Sequence, residues 1–243
     1  MGPSMVLYEV PATRRVRVKI RFRCFAALLV AALVAGPALP AQGDLDAAMS
    51  HDGLKRITVK GLSLAYARPG ATLAGYKRVK IDPVEVAFHK DWKPTRPGSR
   101  IPIGAAELDS IRTELAKLVQ AQFVKALEEK GRYPVVNASG PDVLRARIYI
   151  VNLIVNAPGG GSSSVSSRTF VLSAGEMTLF LDLYDSETGQ ILARVIDRRE
   201  ARSDGVARMA SRVTNIGEAE DIAAAWARIL RDALDRAHGA VKK

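Results

Sequence analysis

The sequence predicts an α+β fold, a two-layer sandwich in which a mostly antiparallel sheet carries two amphipathic helices on one side. Three observations support this prediction. Several segments alternate apolar and polar residues, two longer segments repeat apolar residues at helical spacing, and turn-forming residues separate them. Each helix has one apolar stripe and each strand one apolar face. Packing both helices on the same side of the sheet therefore buries all of these surfaces.

Alternation predicts strands at residues 57–66, 76–88, 133–136, 143–155, 177–184 and 190–197. The second of these changes phase at Asp82 and Pro83, and a proline at that point indicates a bulge or an edge position because it cannot donate to the ladder. Residues 185–189 (DSETG) form a predicted hairpin turn. The glycine- and serine-rich residues 158–164 predict a flexible loop that is dispensable for folding.

Two segments repeat apolar residues at helical spacing. Residues 105–130 form the first predicted helix, which Gly131 ends. The second follows an acidic run of Glu218, Glu220 and Asp221 and ends at Gly239. Its predicted buried face consists of Ile222, Trp226, Ile229 and Ala233. Trp226 is therefore predicted to lie in the core.

The N-terminus has the order of a secretory signal. A basic stretch precedes the apolar run at residues 25–35 (FAALLVAALVA), and small residues and prolines follow it. The run is shorter than the roughly 20 residues of a transmembrane helix. The predicted organisation is therefore a signal peptide at residues 1–41, a flexible leader at 42–56 and one α+β domain at 57–243. Cleavage after Ala38 and after Ala41 both stay open, as do a twin-arginine export route and a later translation start.

Charge and cysteine content exclude several kinds of site. Residues 1–41 contribute +5 of the net charge of +11, which leaves +6 for the rest of the chain. The single cysteine, Cys24, lies in the predicted signal peptide. A lipid-attachment cysteine follows the apolar run of its signal, whereas Cys24 precedes the run. The predicted domain thus has no cysteine for a disulfide, a thiolate metal site or a nucleophile.

Five segments resemble a known family. They are residues 70–76 (GATLAGY), 80–88 (KIDPVEVAF) with Asp91 and Trp92, 175–179 (GEMTL), 183–194 (LYDSETGQILAR), and Asp197 with Arg198 and Arg199. Together they resemble a family of bacterial envelope lipoproteins of uncharacterised role, domain of unknown function 3313. The resemblance covers roughly residues 50–240 and implies an envelope protein without a known enzyme activity. Unlike the lipoproteins, this chain lacks the acylated cysteine.

Catalytic and metal-binding patterns are weak. His89 has Glu85 and Asp91 nearby, but four residues of strand place Glu85 about 13 Å from it, too far for one metal ion. Ser63 lies in a GLSLA segment that lacks the second glycine of a nucleophile elbow. The glycines at 159–161 have no following lysine to form a phosphate loop. Asp82, Asp182 and Asp197 are not brought together by spacing. The sequence predicts no catalytic, cofactor or metal site.

Arginines and tyrosines form the one candidate partner surface. If neighbouring strands pair as predicted, these side chains collect on one face of the sheet. That face is either a docking surface or a solvated surface whose charge is balanced by acids. The residues are Arg145, Arg147, Tyr149, Tyr184, Arg194, Arg198 and, beyond these, Arg199.

These observations predict a periplasmic, non-catalytic protein that works as a scaffold, an accessory factor or a binding protein. Its predicted partner is another envelope protein or an anionic envelope polymer, and nucleic acid is not expected. Membrane contact is expected only during export or by peripheral association. The alternatives are a carrier of a small ligand and a hydrolase whose active site the sequence does not reveal.

Overall fold

The computed structural model describes residues 49–50, 52–95, 100–129, 132–155, 170–171, 175–200, 208–209 and 212–239. The predicted signal peptide with Cys24 and the loop at 158–164 lie outside these ranges. None of the helices in the described ranges combines the length and the apolar character needed to cross a membrane.

Seven strands form the main sheet. In chain order, the nine strands that the structure describes are β1 (Lys55–Ile57), β2 (Leu64–Ala67), β3 (Arg78–Ile81), β4 (Glu85–Phe88), β5 (Val143–Val155), β6 (Phe170–Val171), β7 (Gly175–Asp185), β8 (Ile191–Glu200) and β9 (Arg208–Met209). The helices are α1 (Ala105–Glu128) and α2 (Arg212–Ala237). The order in the sheet is β1-β2-β8-β7-β5-β3, and β4 also pairs with β5. β3 and β4 run parallel to β5, whereas the other pairs in this sheet are antiparallel. β6 and β9 pair separately.

The core lies between the two helices and one face of this sheet, so the predicted α+β class is confirmed. The sheet contributes alternate residues of its two long central strands: Leu144, Ala146, Ile148 and Ile150 of β5, and Met177, Leu179, Leu181 and Leu183 of β7. The helices contribute Leu115, Val119, Phe123 and Leu127 of α1, and Ala223, Trp226, Ala227, Leu230 and Leu234 of α2. Trp226 is 1% exposed, which confirms its predicted place in the core.

Two predicted strands and the second predicted helix differ from the structure. Residues 57–66 form a hairpin rather than one strand, since Gly61 adopts a φ of +85° in the turn between β1 and β2. Residues 133–136 make only an isolated bridge between Val135 and Val79, because Pro134 has no N–H for a ladder. α2 begins at Arg212, so the acidic run lies inside it. Its most buried stripe is displaced from the predicted face, and the predicted partners Ile222, Ile229 and Ala233 are half-buried.

β5 carries one extra residue at Asn152. Both neighbouring strands lose register there: β7 between the partners of Val151 and Ile154, and β4 between the partners of Ile150 and Leu153. Asn152 has a φ of +52°, a conformation that asparagine tolerates better than most residues. It is therefore a β-bulge, and core-facing residues resume at Leu153 beyond it.

Gly175 begins β7 with a backbone that other residues cannot adopt without strain. Its φ is +152°, and a Cβ added there would lie 2.2 Å from the carbonyl oxygen of Ile154. We expect Gly175→Ala to lower the free energy of unfolding by about 2 kcal/mol, since backbone strain of this kind costs roughly 1–3 kcal/mol. Denaturant unfolding measures this. Gly75→Ala is the control, because no atom lies within 4 Å of its added Cβ. Equal midpoints for the two variants would contradict the prediction.

Candidate functional site

The helix-free face of the sheet, here called the outer face, displays the side chains that alternate with the core residues. Strand register places them in four rows across β5, β7, β8 and β2. The rows are Arg145 and Tyr184; Arg147, Asp182, Arg194 and Tyr66; Tyr149, Phe180, Ile196 and Leu64; and Val151, Thr178 and Arg198. The predicted arginine–tyrosine set is thus brought to one face.

The third row forms a continuous apolar strip across four strands, here called the aromatic band (Tyr149, Phe180, Ile196 and Leu64). Phe180 is paired with Tyr149 on one side and with Ile196 on the other. All four side chains are half-buried. With neighbouring strands about 4.8 Å apart, the band is roughly 14 Å long. A strip of this length accommodates the side chains of one docked helix or strand.

Arginines border the aromatic band on both sides. Arg145 Nε donates to both carboxylate oxygens of Asp82, at 3.0 and 2.9 Å, and Arg147 Nε lies 3.6 Å from the same carboxylate. The guanidinium of Arg147 also lies 5.4 Å from the centre of the Tyr149 ring. On the other side of the band, Arg198 pairs with Glu176. We call these cations the arginine rim.

The carboxylates on this face balance its arginines. Four arginines (Arg145, Arg147, Arg194 and Arg198) pair with four acids (Asp52, Asp82, Asp182 and Glu176). Hydrogen bonding to Asp182 raises the pKa of Arg194, and bonding to Asp82 raises the pKa of Arg145. The arginines therefore stay charged but are locally neutralised. The paired arginines and acids of the outer face therefore do not form a strongly cationic groove for a long polyanion.

The end of the predicted leader covers one end of the outer face. The described residues of this segment, 49–50 and 52–54, are here called the strap, and they pack Met49 and Leu54 against Tyr66, Ile191, Leu64 and Tyr184. Leu54 is 3% exposed. Arg194 binds the strap through the Met49 carbonyl at 3.3 Å and the Asp52 carboxylate at 3.1 Å. Arg68 also donates to the Asp52 carbonyl, at 2.9 Å.

The strap divides the predicted partner surface into two parts. The side chain of Arg194 is only 13% exposed, and its bonds hold the strap and Asp182. Tyr184 is half-buried, and its hydroxyl donates to Asp182 at 3.0 Å. Burial, followed by the charge of Asp182, raises the pKa of Tyr184. Arg145, Arg147 and Arg198 keep side-chain exposures of 38, 39 and 66%. Together with Tyr149, which is half-buried but does not belong to the strap cluster, these three form the part that the strap leaves uncovered.

Arg199 does not join the outer face, so that part of the prediction is wrong. It alternates with Arg198 and therefore lies on the helix side, where its guanidinium is 5.6 Å from the centre of the Trp226 ring. Arg199 donates to the Asp197 carboxylate at 2.9 Å and to the Gly61 carbonyl at 2.9 Å. These contacts fasten the turn between β1 and β2 to the sheet and to α2.

Asp197 is the centre of a buried polar cluster on the helix side. Its Oδ1 accepts from the backbone N and the hydroxyl of Ser63, at 2.8 and 2.7 Å. Its Oδ2 accepts from the Trp226 indole at 2.7 Å and from Arg199. Burial raises the pKa of Asp197, but the hydrogen bonds from Ser63, Trp226 and Arg199 outweigh it and hold the pKa below its ordinary value. The carboxylate is a structural anchor, and Ser63 is one of its donors.

The remaining polar candidates do not converge. Asp82 and Asp182 pair with outer-face arginines, whereas Asp197 lies on the opposite face. His89 Nδ1 accepts the backbone N–H of Asp91 at 3.2 Å. Within the part of the chain that the structure describes, no three His, Cys, Asp or Glu side chains form a group that could hold a metal ion.

The sequence prediction missed the aromatic band. Phe180 alternates with core leucines in the sequence, but Ile196 and Leu64 give no sign of their orientation. The turn at Gly189 was not a sufficient signal, because the register between β7 and β8 shifts by one residue between Leu183 and Tyr184. That shift brings Phe180 opposite Ile196 and so forms the apolar row.

The chain is similar to a protein family and to several solved structures. A family model described as a protein of unknown function, DUF3313, matches residues 46–230. No curated protein matches the chain. Among solved structures, the chain is similar to the PelC dodecamer from Paraburkholderia phytofirmans, with 10% identity and a TM-score of 0.35, over 68% of this chain and 96% of that chain. It is also similar to a DUF330 protein from Xanthomonas campestris (11% identity, TM-score 0.36, 71% and 91% covered). A third similar structure is a protein from Caulobacter crescentus that is assigned as a lipoprotein. It has 13% identity and a TM-score of 0.32, over 70% of this chain and 98% of that chain. Likenesses this weak carry no argument about function.

Proposed function

We propose that this chain, which belongs to the DUF3313 family of proteins of unknown function, is an exported envelope protein. It works by binding a partner protein on its outer face. The aromatic band with its arginine rim is the observation that carries the proposal. Protein interfaces combine an apolar centre with a polar border, and tyrosine and arginine are enriched among the residues that contribute most to binding.

The charge balance of the outer face supports a protein partner over an anionic polymer. Binding of a long polyanion depends on uncompensated cations along a groove. Here each rim arginine has a carboxylate within ion-pair distance. Paired arginines can still donate further hydrogen bonds to a partner's carbonyls, since each guanidinium has five N–H groups.

The packing of the core supports binding over transport of a small ligand. Apolar side chains from both helices meet those of β5 and β7 in one cluster, which includes Phe123, Ile148 and Trp226. The polar cluster around Asp197 is internally hydrogen-bonded.

The order of basic, apolar and small residues at the N-terminus supports export to the periplasm.

Site-specific photo-cross-linking in the native bacterium tests the proposal. A photoreactive residue is placed at Tyr149, in the aromatic band, and for comparison at Lys117, which is exposed on α1. We expect a discrete cross-linked protein from position 149 that position 117 does not give. Identical products at both positions, or none at 149, would contradict partner binding on the outer face.

A substitution in the band adds a quantitative readout. Phe180→Asp places a charge at the centre of the aromatic band, and the loss of one dominant contact, worth about 2 kcal/mol, corresponds to an affinity reduced roughly thirtyfold. The cross-linked product should fall accordingly. Ile101→Asp is the control, since Ile101 is 61% exposed outside the outer face. Urea unfolding verifies that both variants remain folded under the assay conditions.

A further inference from the structure

We propose that the edge of the sheet formed by β1 and its turn contacts an anionic lipid surface. This inference is independent of the proposed function, because it concerns another surface and another class of partner. It rests on the charge of the segment, on an exposed apolar residue in it, and on the shape of the edge.

The segment from residue 53 to residue 68, which contains β1, its turn and β2, has no aspartate and no glutamate. It holds four cations: Lys55, Arg56, Lys60 and Arg68. Arg68 has structural partners, since it donates to the carbonyls of Asp52 and Ile191. Lys55 and Lys60 lie at the β1 edge, and both are exposed. An excess of cations at this edge favours an anionic partner.

Ile57 distinguishes this edge from a simply basic one. All three residues of β1 are exposed, and Ile57, at 43%, is among the few large hydrophobic residues that the described part of the chain exposes. Charged residues on an edge strand commonly prevent edge-to-edge aggregation, which accounts for Lys55. That role does not account for an exposed isoleucine beside it. Apolar contact together with lysines is the combination that binds a bilayer interface.

The shape of the edge favours a lipid surface over a protein strand. β1 has only three residues, so an added strand would gain few backbone hydrogen bonds. A bilayer interface requires no such match, since lysine side chains reach headgroups while an aliphatic side chain enters the interface.

Vesicle flotation tests the proposal with the folded protein and no other protein present. Vesicles of phosphatidylcholine containing phosphatidylglycerol are compared with phosphatidylcholine alone. Each basic residue near an anionic membrane contributes about fivefold to affinity. We therefore expect Lys55→Glu with Lys60→Glu to weaken binding by at least about 25-fold, roughly fivefold for each residue. Lys117→Glu with Lys125→Glu on α1 changes net charge equally, and we expect it to weaken binding less than about twofold.

Ile57→Asp should also weaken flotation, whereas Ile101→Asp and Phe180→Asp should not. Equal loss in the two lysine pairs would overturn the proposal, because net charge alone would then explain binding. So would lysine dependence without an effect of Ile57→Asp, which indicates capture by any polyanion. Absence of flotation of the parent protein would overturn it as well. None of these outcomes alters the cross-linking test of the outer face.

Discussion

Trp226→Ala is expected to lower the free energy of unfolding by about 3–5 kcal/mol, which is most of the stability of many single domains. The indole is 1% exposed and packs in the cluster between α2 and the sheet. Its removal leaves a cavity where the surrounding backbone cannot collapse freely. It also takes from Asp197 one of its hydrogen-bond donors, at 2.7 Å.

Urea unfolding separates the two contributions. Trp226→Phe retains most of the apolar volume but removes the indole N–H, so we expect a smaller loss of about 1.5–3 kcal/mol, as for hydrogen bonds to charged groups. Trp92→Ala serves as the matched control. Trp92 is half-buried and stacks on Phe88 at 4.7 Å between ring centres. A midpoint for Trp226→Ala as high as that for Trp92→Ala would show that the core does not depend on the indole.

Asp197→Asn is expected to cost about 3–5 kcal/mol at neutral pH, as does breaking a buried ion pair. An amide can replace one carboxylate oxygen toward Ser63. Its NH₂ group, however, would then face the N–H donors of Trp226 and Arg199. The substitution also leaves the guanidinium of Arg199 without its carboxylate.

The cost of this substitution should depend on pH. Because the pKa of Asp197 is lower in the folded protein than its ordinary value of about 3.9, the ionised carboxylate stabilises the fold above that value. This stabilisation is lost as pH falls below about 4 toward the folded pKa. The difference between the parent and Asp197→Asn should therefore narrow in acid.

Asp142→Asn is the control for a surface pair. Asp142 bonds Arg78, which lowers its pKa, but the two side chains are 31 and 42% exposed. Solvent screens exposed pairs, so this variant should change the urea midpoint little at any pH. If Asp197→Asn behaved in the same way, the buried cluster would not anchor the fold.

The long elements of this fold were predictable because each carries its own periodicity. β5 spans the predicted residues 143–155, and α1 ends two residues before the predicted residue 130. The hairpin at Gly189 also forms as predicted, since its φ of +68° suits glycine. In such segments, local pattern and tertiary packing agree.

The short elements and the site depended on contacts between distant residues. Nothing near Leu54 in the sequence indicates that it is buried against Tyr66 and Ile191. The polar character of residues 44–54 suggested a mobile leader, yet Arg194 fixes part of it from 140 or more positions away along the chain. The orientation of Arg199 depended on whether β8 keeps a strict alternation as far as Glu200.

The bulge at Asn152 has a consequence for comparison with relatives. Without that residue, Val151 and Leu153 would be consecutive, and inward and outward side chains would alternate through β5 without interruption. Both neighbouring strands would then pair with β5 in continuous register. Asn152 thus has the character of a single-residue insertion that the sheet absorbs locally. A relative with a one-residue gap at this position can have the same core and the same outer face, and such a gap is not evidence of a different fold.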